Sequence, residues 1–490
     1  MKLRGFALAA LTGVATAAVA ADEVKSLPGW DGELPSKHYS GYLPARGGEN
    51  HVHYHLTLSE ENPATDPITL WSNGGPGCTS LKGAFEEVGQ LVFNASSVSA
   101  ARDDGAPRLY YNPSGWTRKS SVLVFEHPTG VGFSYCDACV GVAGCNCAAN
   151  DTTAALDNYD TITAFFRAFP ELAKNDFFIT GESYSGIYIP MLVEQIMDRG
   201  GVDNLVGAAI GNGCTGNKAG ICDFGSDLRK AASSDFYFGG GFYSAALHTK
   251  LQAACAPPSG NWSSAACATA IDSMNAQVGP HNLYNMMDFC PGAALHGPAG
   301  WARALERSGP RGTAVRMDEQ LHASPSRCAD AAGAGPLGVR QRWCGLDSAM
   351  MTWLELAAVQ SALNINTTAK ATEHNNLDYT KGGADDLTAL YQRIAKKYRL
   401  MIYNGQEDGC VPYNAMEAFT TGLGFPVTSE WHPWLGSAAA GGARVAAGYA
   451  TTYGDRLSFV TVKGAGHEVP TYKPEAAFDL FSAFLNGTLL

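Results

Sequence analysis

Ser183 lies in Phe177-Phe178-Ile179-Thr180-Gly181-Glu182-Ser183-Tyr184-Ser185-Gly186, directly after an apolar run and before a helical pattern. Small residues around it permit a sharp turn that lifts the hydroxyl above the carboxyl edge of a sheet, beside a helix N-terminus. Ser185 stands at the second glycine position of the usual G-x-S-x-G pattern, with Gly186 following. A serine hydroxyl is a poor nucleophile at its free pKa, so acyl transfer needs an orienting acid and a base downstream, in the order Ser, Asp, His. Asp408 ends the run Leu400-Met401-Ile402-Tyr403-Asn404-Gly405-Gln406-Glu407-Asp408, and His467 sits in Gly464-Ala465-Gly466-His467-Glu468-Val469-Pro470. A lone Asp or His after a strand is usually structural, but three such positions in the required order, each in a Gly-marked loop, point to nucleophilic catalysis. The tetrahedral intermediate also needs backbone N–H donors. Tyr184 follows the nucleophile, and Leu70-Trp71-Ser72-Asn73-Gly74-Gly75-Pro76-Gly77-Cys78 is a Gly-rich loop that can supply a second. A phosphate cradle is the competing use of such a loop, but the Lys-Ser/Thr that a P-loop requires does not follow.

Strand-like runs that could hold these groups occur at 51–58, 68–71, 121–125, 176–180, 205–210, 399–403 and 457–462, with helical patterns at 152–169, stopped by Pro170, and 185–197. Strand alternates with helix, which predicts an α/β architecture with a largely parallel central sheet. The rhythm fails over about 213–343, a loop-rich segment carrying Cys214, Cys222, Cys255, Cys267, Cys290 and Cys328; it reads as an insertion covering the sheet's edge. Segment 438–450, rich in Ala and Gly, reads as a flexible surface loop.

The 490 residues are 46% hydrophobic and 16% charged, enough to bury a large core and too apolar for a disordered chain. Net charge is -12, with no long basic run, which argues against a nucleic-acid partner or a polybasic membrane contact. Lys2 and Arg4 precede the apolar run 5–17, and Ala18-Val19-Ala20 fits a signal-peptidase site, so residues 1–20 read as a signal peptide and 21–490 as the mature chain. No other window is long and apolar enough for a membrane anchor. Asn94, Asn150, Asn261, Asn366 and Asn486 head Asn-x-Ser/Thr acceptors, whereas Asn112 is disqualified by Pro113. With 13 cysteines they point to the secretory pathway, secreted or vacuolar/lysosomal.

These motifs, together with Leu27-Pro28-Gly29, Tyr39-Ser40-Gly41-Tyr42-Leu43, the loop from Asn73 to Ser80 and Gly130-Val131-Gly132-Phe133-Ser134-Tyr135, resemble the serine carboxypeptidase family, which includes lysosomal cathepsin A and the vacuolar carboxypeptidases. The resemblance implies an α/β-hydrolase fold with a disulfide-rich cap. It implies that Ser183 attacks the scissile carbonyl, His467 shuttles the proton, Asp408 orients the imidazole, and the N–H groups of Gly75 and Tyr184 hold the oxyanion. Asn73, Glu87 and Glu182 would recognise the C-terminal carboxylate of a peptide or protein substrate, without a cofactor; Glu86 adjoins Glu87 and competes for that place. It also suggests a Cys78–Cys344 disulfide, with Cys214–Cys222 and Cys255–Cys267 as neighbours, leaving Cys410 unpaired near Asp408. Phe125-Glu126-His127-Pro128 departs from the family's usual Asp-x-Pro lead into the Gly130 segment.

His51, His53 and His55 alternate, as do strand residues on one face, and Cys136, Cys139, Cys145 and Cys147 have spacing zinc could use. A polar strand face and disulfides are the preferred readings, with no metal. Two other functions fit the scaffold: an acyltransferase, in which an alcohol outcompetes water at the acyl-enzyme, and a catalytically silent protective or binding protein. Such acyltransferases tend to carry Asp beside the nucleophile, so Glu182 favours the peptidase, and intact Ser183, Asp408 and His467 argue against the silent protein.

Overall fold

The structure, a computed structural model, describes residues 20–94, 96–97, 105–142, 144–255, 262–279, 281–287, 346–367, 377–437 and 444–488. Of the expected signal peptide, residues 1–20, all but Ala20 lie outside this range. Twelve strands form one sheet: β1 (Glu23–Val24), β2 (His38–Ala45), β3 (Asn50–Thr57), β4 (Ile68–Ser72), β5 (Ser121–Phe125), β6 (Tyr135–Cys136), β7 (Phe177–Glu182), β8 (Leu205–Gly211), β9 (Arg399–Gly405), β10 (Val427–Leu435), β11 (Ala446–Tyr453) and β12 (Leu457–Val462). Their spatial order is β1-β2-β3-β5-β4-β7-β8-β9-β12-β11-β10, with β6 paired to β3. The six strands from β5 to β12 in that order are mutually parallel. Antiparallel strands extend the sheet on both sides.

The central strands are apolar on both faces because helices cover both. Leu70, Leu123, Ile179, Ala208, Ile210 and Ile402 point into a core shared with α1 (Asp151–Ala168), α2 (Ser185–Arg199), α8 (Thr388–Lys397) and α9 (Tyr413–Gly422). Their neighbours on the other face, such as Phe178, Ala209 and Met401, pack against α10 (Val469–Tyr472) and α11 (Pro474–Asn486). Each large side chain buried this way contributes roughly 1.5–3 kcal/mol. Asn150 caps α1 reciprocally with Thr153. Pro190 in α2 removes the N–H that Gly186 O would accept, and the Tyr391 hydroxyl fills that role at 2.7 Å.

Two expectations need correction. Segment 446–450 is not loop but part of β11, an antiparallel strand between β12 and β10; residues 438–443 lie outside the described range. The described part of the insertion is helical rather than loop-rich: α3 (Asp227–Gly239), α4 (Ala245–Cys255) and α5 (Ala265–Val278). Its small core of Phe236, Tyr237, Leu251 and Trp262 explains why the pattern was faint, since short Ala-rich helices need only a narrow apolar stripe. Beyond residue 345 come α6 (Leu346–Glu355) and α7 (Ala357–Ala362).

Four disulfides are described: Cys136–Cys147, Cys139–Cys145, Cys214–Cys222 and Cys255–Cys267. The four clustered cysteines thus pair with one another. Cys344, the expected partner of Cys78, lies outside the described residues, as do Cys290 and Cys328.

Candidate active site

β7 ends at Glu182 and α2 begins at Ser185, so Ser183 takes the whole turn, with φ of +61°. A non-glycine residue in this region costs on the order of 1–3 kcal/mol. Three backbone hydrogen bonds hold it: Ser183 N–H donates to Gly211 O at 3.0 Å, and Ser183 O accepts from Gly186 and Cys214, both at 2.9 Å. The small neighbours are steric necessities, because a Cβ on Gly181 would stand 2.2 Å from Ser72 O and one on Gly186 2.2 Å from Cys214 O. Ser185, in place of a glycine, sets its hydroxyl 2.9 Å from Ser72 O and 3.0 Å from Asn73 O, which fastens the elbow to the loop after β4.

Asp408 and His467 follow β9 and β12, two strands paired in the sheet. His467 Nδ1 lies 2.7 Å from Asp408 Oδ2, and Asp408 is fully buried. Its other oxygen accepts the Cys410 N–H at 2.7 Å, while Asn212 Nδ2 donates to Oδ2 at 2.6 Å. Burial opposes a charged His467 ring, but the Asp408 carboxylate and its hydrogen bond outweigh burial and hold the pKa above its ordinary value. His467 Nε2 is buried and has no hydrogen-bond partner among the described residues, which leaves it able to accept a proton. His467 N–H donates to Tyr284 O at 2.7 Å, and the Tyr284 ring stands edge-on with centroids 4.9 Å apart. Cys410 forms no disulfide among the described residues; burial pushes its thiol up to about 12, so it is an inert thiol rather than a nucleophile.

The Gly-rich loop meets the elbow so tightly that a Cβ on Gly74 would fall 2.3 Å from Tyr184 N and 2.7 Å from Ser183 Cβ. The Gly74–Gly75 peptide therefore runs alongside the Tyr184 N–H. Gly74→Ala is expected to push this loop off the elbow and lower kcat about 100-fold, as displacement of one oxyanion donor does elsewhere. Steady-state kinetics of the purified variant check it, and wild-type kcat would contradict the packing argument.

Asn73 joins two carboxyl groups. Its Nδ2 donates to Glu87 Oε1 at 2.8 Å and Glu182 Oε1 at 3.1 Å, and its Oδ1 accepts from Trp71 Nε1 and the Gly83 N–H. All three residues are buried. Glu86, the sequence neighbour of Glu87, instead pairs with Lys82 at 3.1 Å, and Lys82 also reaches Glu468 at 3.5 Å. Burial, then the charge of Glu87, hold the Glu182 pKa well above the ordinary carboxyl value, so the pair keeps a proton to higher pH than a free carboxyl group does.

Several supporting residues escape sequence reading. Asp151, first residue of α1, is buried and accepts from Tyr184 Oη (2.8 Å), Tyr379 Oη (2.6 Å), Asn217 Nδ2 (2.7 Å) and Gly382 N (2.7 Å). In the sequence it is one more acidic residue in a first helical turn, and nothing marks it. Asp151→Ala strands these donors and is expected to reduce unfolding free energy by about 3 kcal/mol, read from denaturant midpoints; an unchanged midpoint would show the hub to be dispensable. Glu126, in the unusual Phe125–Pro128 stretch, binds His53 Nδ1 at 2.8 Å and the Phe133 N–H at 2.9 Å, so Gly130 to Tyr135 wraps around it. His127, held near a pKa of about 4 by burial, contacts Ser72 Oγ (2.8 Å) and Asn158 Nδ2 (3.1 Å) beneath the elbow. The alternating histidines have protein partners: His51 with Asp137, His53 with Glu126 and Ser40, and His55 with His38.

Of the sequon residues, Asn94, Asn150 and Asn366 are half-buried, Asn366 donating to Tyr135 Oη at 3.1 Å; Asn486 is exposed, and Asn261 lies outside the described residues. No helix among the described residues is long and apolar enough to cross a membrane.

A serine on a strand–helix elbow at the edge of a parallel sheet, with an acid and a histidine on later strand-to-loop turns, defines an α/β-hydrolase. The serine carboxypeptidase family profile matches residues 28–487, and the chain belongs to that family of hydrolases, the exopeptidases that act from the carboxyl end. The lysosomal protective protein of Mus musculus is 32% identical over 482 residues, covering 95% of this chain and 94% of that one. Serine carboxypeptidase 1 of Hordeum vulgare is 31% identical over 492 residues, covering 96% and 93%. Among solved structures, a prohormone-processing carboxypeptidase from Saccharomyces cerevisiae shares the fold with a TM-score of 0.66, 18% identity and 96% coverage of each chain.

Proposed function

We propose that the protein removes single residues from peptides and proteins with a free C-terminus, through an acyl-enzyme on Ser183. Ser183 Oγ attacks the scissile carbonyl while its proton passes to His467 Nε2, and Asp408 stabilises the resulting imidazolium. The N–H groups of Gly75 and Tyr184 hold the oxyanion. Collapse breaks the C–N bond, and His467 returns its proton to the departing amino group. Water then repeats the relay and frees the shortened peptide as its acid.

The observation that carries the reading is the buried Asn73–Glu87–Glu182 cluster beside the nucleophile. A carboxyl group that keeps its proton can donate to an incoming carboxylate, and the Asn73 amide orients the two. Two ionised carboxylates would repel the same group. Recognition of a free C-terminus is therefore strongest on the acid side. Mass spectrometry of a defined peptide incubated with the enzyme tests this. Stepwise loss from the C-terminus supports it; cleavage at internal bonds only, or transfer to added alcohols without hydrolysis, overturns it. Residues 1–20 act as a signal peptide, and Asn486, exposed at the end of α11, is the most accessible of the described glycan acceptors. The destination is the secretory pathway, with an acid compartment or the exterior as its end.

A further inference from the structure

Arg229, in the first turn of the cap helix α3, is buried at 7% exposure, and among the described residues no carboxylate pairs with it. An uncompensated buried guanidinium is costly unless its donors are used. They are: Nη2 donates to Gly409 O at 3.1 Å, Nη1 donates to Cys410 O and stands 3.5 Å from Ile221 O, and the guanidinium carbon lies 4.7 Å from the centre of the Phe224 ring. Gly409 O belongs to the same peptide unit as the Cys410 N–H, which donates to Asp408 Oδ1. In that trans peptide the two groups point in opposite directions. Arg229 on one side and Asp408 on the other therefore clasp a single peptide plane. A charge-assisted bond to the carbonyl polarises the amide and strengthens its N–H as a donor.

We propose that Arg229 is a positioning residue for the Asp408–His467 pair, making the cap insertion part of the catalytic apparatus rather than a cover over it. Two other contacts from the insertion reach the same loops: Met286 N–H donates to Glu407 O at 2.9 Å, and Tyr284 O accepts from the His467 N–H. Lysine cannot replace the fork, since one ammonium on a flexible stem is a point donor, whereas guanidinium presents paired N–H groups to adjacent carbonyls.

This rests on the proposed roles of Asp408 and His467, and two readouts separate the claims. Arg229→Met keeps most of the buried stem and removes charge and donors. It is expected to lower kcat about 10- to 100-fold, the scale of a small misplacement in an active site, with KM within about twofold. The low-field proton NMR signal of His467 Nδ1–H should shift or broaden. Arg229→Lys should lie between Met and wild type, and carries the test if the Met variant does not fold. Asn414→Ala is the control: it removes the Asn414 Nδ2 bond to Ala232 O (3.0 Å), which ties α3 to α9 through a contact that involves neither Arg229 nor Asp408. It should lower stability and leave kcat within about twofold. Wild-type kcat and an unmoved proton signal in Arg229→Met would overturn the proposal, as would an equal kcat loss in Asn414→Ala. If the wild-type enzyme shortens no peptide, the functional reading fails instead, while the proton signal still reports whether Arg229 acts on the pair.

Discussion

Replacing Ser183 with alanine is expected to reduce peptide hydrolysis by a factor on the order of 10⁵ to 10⁶, with an unfolding midpoint close to that of the wild type. The two halves of this expectation come from different features. In the proposed mechanism the hydroxyl forms the acyl-enzyme, and the backbone N–H groups of Gly75 and Tyr184 cannot supply a nucleophile in its absence. For stability, the Ser183 hydroxyl makes no hydrogen bond among the described residues, and the strained turn is held by backbone groups that alanine retains. Mass spectrometry of a digest and a parallel thermal melt give both values. Residual activity within a hundredfold of wild type would remove Ser183 from the nucleophile's role.

The second large effect is in pH dependence. His467 must be neutral to accept a proton, and its pKa is raised, so activity toward any substrate falls as pH drops below that value. In its proposed role the Glu87–Glu182 pair must keep its proton to bind a carboxylate, and the Glu182 pKa is also raised, so peptide hydrolysis is expected to fall as pH climbs through it, about tenfold per unit. A peptide with a free C-terminus should therefore give a bell-shaped kcat/KM profile. A C-terminally blocked ester should share the acid limb and then level off. Glu182→Gln removes the titrating group yet keeps a donor, so the alkaline limb for peptides should flatten while the ester profile holds. Parallel decline of peptide and ester with rising pH would sink the role given to the pair.

The same burial has a stability consequence of fixed sign. A carboxyl whose folded pKa is raised binds a proton that the unfolded chain has already released at mildly acid pH. The folded state is thus favoured at low pH, and that contribution is lost as pH rises from the ordinary carboxyl range through the raised value.

The central strands were legible because helices cover both their faces, leaving solid runs such as Phe177 to Thr180 that solvent-facing alternation would have broken. Ser183, Asp408 and His467 were legible for a related reason: parallel strands deliver their functional groups at one edge, where each needs a glycine-marked turn. β11 was hidden because Ala446 to Tyr453 offers small residues to an antiparallel partner rather than a bulky stripe. The choice of Glu87 over Glu86 depends on which carboxyl faces Asn73 in a five-residue helical turn, and adjacency in sequence says nothing of that. Asp151, Asn212 and Arg229 were invisible for one cause. Each is a polar residue whose partners come from remote segments, and in sequence a buried polar side chain looks like a solvated one.

The order of strands along the chain also bears on when the proposed catalytic groups come together. β4, β7 and β8 place the Ser183 turn before residue 212, whereas Asp408 and His467 hang on β9 and β12, which enter the parallel sheet much later in the sequence. A chain emerging from the ribosome carries Ser183 long before it carries Asp408 and His467, its proposed partners. Its hydroxyl stays as unreactive as any other serine until β12 has paired beside β9. On the proposed mechanism, catalytic power is thus withheld until β12 has joined the sheet, by topology alone.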